Sequence, residues 1–392
     1  MGGIYIGSLD AKPGEQSRER ILSSQFAASY ADGYVFFMRE NTLMAQPFDG
    51  GRLMLQGEPV PVAEHVGTSQ GNGFFSVSPG GTLAYRSGGF GQTLQLTWFD
   101  RQGKMLSTFG QPGPDQSIAI SPDGTHVASR DPVQGAGDIW TLDFSRGVRT
   151  RITSQQGTVA GAPPVWSPDG SRIAFAAGNN NNLDTLFEKP SSGAGEAKEL
   201  YKKAGEIKYP TSWSHDGRFL LYNAAAEKTG LDLWVLPLEG NRKPVLLLGT
   251  PFYEGQGSFS PDMRWIAYTS NESGRYEIYV RPFIASGPSG VPALGEEKWP
   301  ISKDGGIQPK WRADGKEIIF SGPMRAKMAV DVRANGPVFE PGVPQRLFTA
   351  PFSLGWDVTG DGKRFLLAVA AGQQNPSTPI TVVLNWPALL KK

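Results

Sequence analysis

The 392-residue chain contains no cysteine, which removes disulfide staples, zinc–thiolate sites, iron–sulfur clusters and thiol nucleophiles together. Histidine is almost as scarce: His65, His126 and His215 are the whole complement. Three scattered imidazoles make no metal-ligand spacing, so neither a metal nor a cofactor is expected. Excess charge is missing too, with 38 Lys+Arg against 37 Asp+Glu. Such a chain has no field to condense onto a phosphate backbone, and nucleic acid is not an expected partner. No apolar run approaches the roughly 18 residues of a membrane-spanning helix, so no membrane segment is expected. The first residues lack the basic stretch and apolar core of an export signal. A cytoplasmic location is expected if Met1 is the natural start, and a periplasmic or extracellular one if the chain belongs to a longer polypeptide.

What the sequence has in abundance is backbone punctuation, 50 Gly and 31 Pro, which rules out long helices as the dominant element. The punctuation is periodic. Ser121-Pro122-Asp123-Gly124 and Ser167-Pro168-Asp169-Gly170 are the clearest copies of a turn, with degenerate copies at Ser78-Pro79-Gly80-Gly81, Ser214-His215-Asp216-Gly217, Ser260-Pro261-Asp262-Met263, Arg312-Ala313-Asp314-Gly315 and Thr359-Gly360-Asp361-Gly362. A shortened copy lies at Ala31-Asp32-Gly33. Measured at the third turn residue, the eight copies are spaced by 43 to 52 residues. Serine bonds back to the chain, proline presets its dihedral and glycine takes the last turn position, so each copy is a hairpin connection.

Apolar runs of four to six residues flank every turn, which is strand spacing. A third strand follows, often led by an acid, as in Asp138-Ile139-Trp140-Thr141-Leu142 and Asp232-Leu233-Trp234-Val235-Leu236, and a shorter polar fourth completes the unit. Four antiparallel strands per repeat of about 45 residues is the arithmetic of an all-β propeller, whose blades cover one another's apolar faces. Aromatic residues just ahead of the turn, Trp166, Trp213, Phe259 and Trp311, read as wedges between blades rather than as a site. Eight blades are expected in a single domain over 1–392, with seven as the alternative. Residues 1–24 would supply strands completing the last blade, 25–355 seven repeats, and 356–392 the last blade. The N-terminal strand around Ile21 would fill the missing fourth position there and close the ring.

The Ser-Pro-Asp-Gly repeats with an aspartate-led aromatic strand resemble the WD-like propeller repeats of the TolB family over about residues 20 to 385. TolB itself carries a further N-terminal α/β domain and six blades, which the sequence does not display. The stretch Thr42 to Asp49, with the Trp356 to Leu367 tail, resembles the C-terminal extracytoplasmic propeller of bacterial receptor-type serine/threonine kinases. That resemblance implies a sensing or signalling role without kinase activity, since no His-Arg-Asp loop, Asp-Phe-Gly or strand lysine is present.

Other motif matches fail on context. Gly67-Thr68-Ser69-Gln70-Gly71 spells a nucleophile elbow but lacks the strand-to-helix corner and the histidine base. Asp357, Thr359 and Asp361 mimic the start of a calcium loop, but its twelfth position is Ala368. The run Asn179 to Asn182 reads as a hairpin tip. No catalytic residue is therefore assigned. Propeller function concentrates where chain leads into the innermost strands, and those segments offer Asn72, Gln116, Tyr209, Glu254, Gln256, Gln308 and Trp356 as candidate ligand-binding residues. Such a rim suits a protein, peptide or glycan ligand of a monomer. The alternative is an enzyme at the channel mouth, a propeller glycosidase or lyase or the gating half of a peptidase, which clustering of Glu254 with Glu206 and Asp357 would favour.

Overall fold

The computed structural model describes residues 3–390 apart from 8–11, 13–18, 25, 40–41, 70–71, 87–92, 132–136, 154–162, 179–182, 227–228, 241, 288–289, 336–337 and 372–379. The Asn179 to Asn182 run and part of the Gly67 to Gly71 motif fall outside the described residues. Regular structure among the described residues is antiparallel sheet with two short 3-10 turns, Pro323–Arg325 and Trp386–Leu390, and no α-helix.

The repeated turn organises each sheet locally. Ser214 Oγ donates to Asp216 Oδ1 at 2.6 Å and accepts the Phe219 amide at 2.8 Å, so one buried hydroxyl ties both ends of the turn. Asp216 in turn accepts the Arg218 amide at 3.1 Å. The same arrangement recurs around Ser121, Ser167, Ser260 and Thr359. Gly124, Gly170, Gly217, Gly315 and Gly362 hold φ between +70° and +77°, a conformation that costs other residues about 1–2 kcal/mol. Met263 occupies it at φ +62°.

The chain divides into two compact units, 93–371 and the remainder, 1–92 with 372–392. In the first, six sheets follow one another. From the inside outward, sheet 1 is Ser353–Val358, Arg364–Ala370, Leu94–Asp100 and Met105–Gly113. Sheet 2 is Gln116–Ile120, His126–Asp131, Asp138–Asp143 and Arg149–Arg151, and sheet 3 is Val165–Trp166, Arg172–Ala177, Thr185–Pro190 and Lys198–Lys202. Sheet 4 is Lys208–Trp213, Phe219–Ala226, Gly230–Pro237 and Val245–Leu248. Sheets 5 and 6 begin with Glu254–Phe259 and Ile307–Trp311 and each carry five strands.

Neighbouring sheets are joined by side-chain bonds as well as by core packing. The Trp166 indole donates to Ala119 O at 2.9 Å between sheets 3 and 2, and the Trp311 indole to Ser258 O at 3.2 Å between sheets 6 and 5. Ser212 Oγ accepts the Phe259 amide between sheets 4 and 5, and sheets 3 and 4 share a core through Ala174, Leu186, Leu220 and Leu236. The circle closes where Trp356 of sheet 1 donates to Gln308 of sheet 6 at 2.6 Å and Asp357 accepts the Ile120 amide of sheet 2 at 2.7 Å. These six sheets form a closed propeller ring.

The expected closure is corrected by this topology. Six sheets close the ring of the 93–371 unit, where eight or seven were expected. The remaining two repeats build the second unit: one sheet of Ser29–Ala31, Tyr34–Arg39 and Thr42–Asp49 with two short partners, and one of Phe75–Val77, Thr82–Arg86 and Ile380–Leu384. Its core gathers Phe36, Leu43, Leu83 and the fully buried Trp386. The N-terminal Arg20–Leu22 pairs with Ile4–Tyr5 and does not complete a last blade. Instead two repeats exchange third strands. Leu94–Asp100 leaves its own hairpin and pairs with Arg364–Ala370, while Ile380–Leu384 takes the vacated place beside Thr82–Arg86. Burial explains the exchange: Leu94–Asp100 is buried along most of its length and can lie inside a ring sheet, whereas four of the five residues in Ile380–Leu384 are exposed. Hydrophobic matching outweighs sequence proximity.

Candidate functional site

The innermost strands of all six ring sheets line a cavity of about 790 Å³. One repeat position supplies its wall from every sheet. Six residues before the third turn residue stand Ser117, Pro163, Pro210, Gln256, Gln308 and Gly355, and all six line the cavity. The pairing register of five of the six inner strands shifts around this point, as a β-bulge does when it re-aims a side chain. Ser117, Gln256 and Gln308 hold positive φ there, +50°, +55° and +59°. Strain of this kind in non-glycine residues costs about 1–3 kcal/mol each and concentrates at sites.

A polar ladder runs along one arc. Asn223 Oδ1 accepts the Gln256 amide at 2.9 Å, and Gln256 Oε1 accepts the Gln308 amide at 2.8 Å and the Thr269 hydroxyl at 2.9 Å. Gln308 Oε1 accepts the Trp356 indole N–H at 2.6 Å. Because backbone and indole N–H groups only donate, both glutamine oxygens are fixed toward the wall, and each carboxamide NH2 is turned away from it. The Asn223 NH2 is consumed by Asp232 O and Glu254 O. Tyr209, Tyr253, Trp213, Trp311 and Trp356 supply aromatic surface.

Trp356 is also flanked by two lysines, with Lys327 Nζ 3.6 Å and Lys310 Nζ 5.3 Å from the ring centroid. Lys310 pairs with Asp357 at 2.8 Å. Lys327 is 4% exposed and donates to Ser321 Oγ at 2.8 Å. Burial and the like charge of Lys310 bring its pKa down to about 6.

Of the seven residues singled out in the sequence, Tyr209, Gln256, Gln308 and Trp356 meet at this cavity. Burial pushes the Tyr209 hydroxyl pKa up. Gln116 precedes the bulge residue Ser117 and is not part of the lining. Glu254 is 1% exposed, and its oxygens accept the Thr250 hydroxyl and amide, so it staples its own loop. Burial raises its pKa. Asn72 lies in the second unit, on a two-residue strand pairing with Thr68–Ser69. Sequence reasoning missed Asn223, Lys310 and Tyr253. It set the tryptophan wedges aside as packing, yet Trp166, Trp213 and Trp311 both pack between blades and line the cavity. A count back from each turn would have located the wall position.

None of the three acids that would favour an enzyme lines the cavity. Glu206 pairs with Lys203 and Lys208, Glu254 with Thr250, and Asp357 with Lys310 and the Ile120 amide. Asp361 accepts the Thr359 hydroxyl and the Lys363 amide, as a turn residue. Among the described residues no group of three or more His, Asp or Glu side chains could hold a metal ion. No described helix is long and apolar enough to cross a membrane.

No family model and no curated protein sequence matches the chain. Solved structures do. A TolB-type protein of Agrobacterium tumefaciens matches with a TM-score of 0.53 at 16% identity, over 70% of this chain and 97% of that one. TolB of Acinetobacter baumannii matches with a TM-score of 0.46 at 16% identity, over 87% and 78%. A periplasmic gluconolactonase of Pseudomonas aeruginosa gives 0.46 at 16%, over 84% and 96%. At this identity the likeness speaks to architecture alone: the chain is a β-propeller, similar in fold to the Agrobacterium TolB-type protein.

Proposed function

We propose that the chain is a non-catalytic binding module whose ligand enters the ring cavity and is read by the bulge residues of the inner strands. One observation carries this reading: the cavity wall is rich in aromatic, amide and proline residues and, among the described residues, includes no carboxylate. A glycosidase or lyase of the acid–base kind needs positioned carboxyl groups at the reacting atoms. A surface of flat rings and amide donors matches recognition of a peptide or glycan. The finer reading is that such a module senses a protein or other ligand outside the cytoplasm as part of a signalling protein. Its support is the resemblance of the Thr42 to Asp49 stretch, with the Trp356 to Leu367 tail, to extracytoplasmic propeller regions of receptor kinases.

The test is a display selection of random peptides against the purified chain, followed by affinity measurement with Tyr209→Ala, whose circular dichroism must match the wild type. Selected ligands should weaken at least tenfold with the variant and remain chemically unchanged after prolonged incubation. Equal binding by the variant places recognition elsewhere, and turnover of peptide, lactone or oligosaccharide substrates removes the non-catalytic reading.

A further inference from the structure

The polar groups facing the cavity are unequal in kind. Along the arc of sheets 4, 5, 6 and 1, both glutamine oxygens are turned to the wall: Gln256 Oε1 accepts the Gln308 N–H and the Thr269 hydroxyl, and Gln308 Oε1 the Trp356 indole. Their donors face the other way. The Gln256 and Gln308 carboxamides each keep an NH2 with no partner among the described residues, and neither NH2 is fully buried, so both are open to the cavity. Lys310 spends one of its three ammonium donors on Asp357. These three residues stand on the adjoining inner strands Glu254–Phe259 and Ile307–Trp311, beside the indole of Trp356, to which Gln308 is bonded.

Resting on the binding reading above, we propose that this arc receives a carboxylate, held by the Gln256 and Gln308 NH2 groups and the Lys310 ammonium, on a ligand whose flat apolar body lies against the cavity aromatics. A carboxylate offers about four acceptor sites and fits several converging donors. No described Asp or Glu lines the cavity itself, and the Asp357 carboxylate beside Lys310 is already engaged by that ammonium and by the Ile120 amide. A cationic ligand finds the reverse, with both glutamine oxygens bonded to the wall and the like charge of Lys310 facing it. The body has ring surface on two sides of the donors, Trp356 and Trp311 from one pair of sheets and Tyr209 and Tyr253 from the other. The carboxylate itself can come from the end of a peptide or from a sugar acid, and the probes separate these sources.

The experiment titrates the full chain by calorimetry with four probes: N-acetylphenylalanine, its amide, glucuronate and glucose. The expected result is that one acid binds at least tenfold more tightly than its neutral counterpart. N-acetylphenylalanine doing so identifies a peptide end, and glucuronate a sugar acid. Gln308→Glu keeps the oxygen that accepts the Trp356 indole and replaces the NH2 by a second oxygen, so the acid preference should vanish or invert with thermal stability unchanged. Lys310→Met is the second variant, expected to lose at least fivefold for the acid only. Overturning results are equal affinity for acid and neutral probes, no acid binding at 10 mM, or an acid preference that survives Gln308→Glu. Equal affinities that still fall with Tyr209→Ala would sink the carboxylate and leave the binding reading standing. Conversion of a probe would sink both.

Discussion

The two ends of each inner ring strand are built on opposite rules. At the turn end the same residues return from sheet to sheet: a hydroxyl from Ser121, Ser167, Ser214, Ser260 or Thr359, bonded to the aspartate two residues on. At the cavity end one structural position is occupied by serine, proline, proline, glutamine, glutamine and glycine in Ser117, Pro163, Pro210, Gln256, Gln308 and Gly355. The backbone geometry there is still shared, because the bulge recurs in five of the sheets. A fold needs its turns to be alike, since each makes the same local bonds. A site needs its wall to differ around the ring, since a ligand without sixfold symmetry meets each sheet differently.

Substitutions should separate the two ends. The largest effect belongs to Trp356→Ala, which removes a ring that lines the cavity, packs on Phe365 and bonds to Gln308. Chemical denaturation should show a loss of about 3–5 kcal/mol, the usual cost of deleting a large buried aromatic. Next is Lys327→Met, where the sign reverses. The Lys327 pKa is lowered to about 6 from an ordinary 10.5, so between those values the unfolded chain binds more protons than the folded one. Wild-type stability therefore rises with pH across that window. The variant should be more stable than wild type, by the most below pH 6, and its melting temperature should lose that rise.

At the turn end, Ser214→Ala strips one buried hydroxyl from Asp216 and from the Phe219 amide. It should cost about 1–3 kcal/mol in denaturant melts and leave ligand affinity within twofold. If affinity collapses as well, the ends are not separable. The smallest effect is that of Asp169→Asn. The Ser167 and Ser171 hydroxyls hold the Asp169 carboxyl at about 2, below its unfolded value. Its stabilisation is fully present above about pH 4 and disappears as pH falls through 2. The variant should show a shallower acid-side slope in melting temperature, with its deficit against wild type full at pH 7 and vanishing below about pH 2.

The same contrast explains what could be read from the amino-acid order. The turns were legible because Ser-Pro-Asp-Gly carries its chemistry within four residues, and from them followed the all-β class, the strand spacing and the propeller. The strand exchange was not, because Leu94–Asp100 and Ile380–Leu384 show similar apolar runs and only their distant partners, 272 and 298 residues away in the pairs Leu96↔Ala368 and Ala84↔Val382, tell them apart. Four cavity residues were found by their place ahead of an inner strand. Glu254 was misplaced by the same rule, since an acid beside a loop looks solvated until Thr250 is seen to engage it. The unequal distribution of donors and acceptors was invisible, since it depends on which oxygen each N–H of the next sheet selects.

The exchange of third strands also fixes where the ring begins and ends. Thr93 O accepts the Ala371 amide at 2.7 Å, so the first and last residues of the 279-residue ring segment touch. A segment whose ends meet can be inserted into another chain, or lifted from it, with little strain on its host. In topological terms the ring is a cassette, entered and left at one point of the chain. The join also sets an order of events during synthesis: Leu94–Asp100, among the earliest ring strands made, waits with an open edge until Arg364–Ala370 is released. Completion of the ring is therefore a late, long-range step, of the kind that makes folding slow.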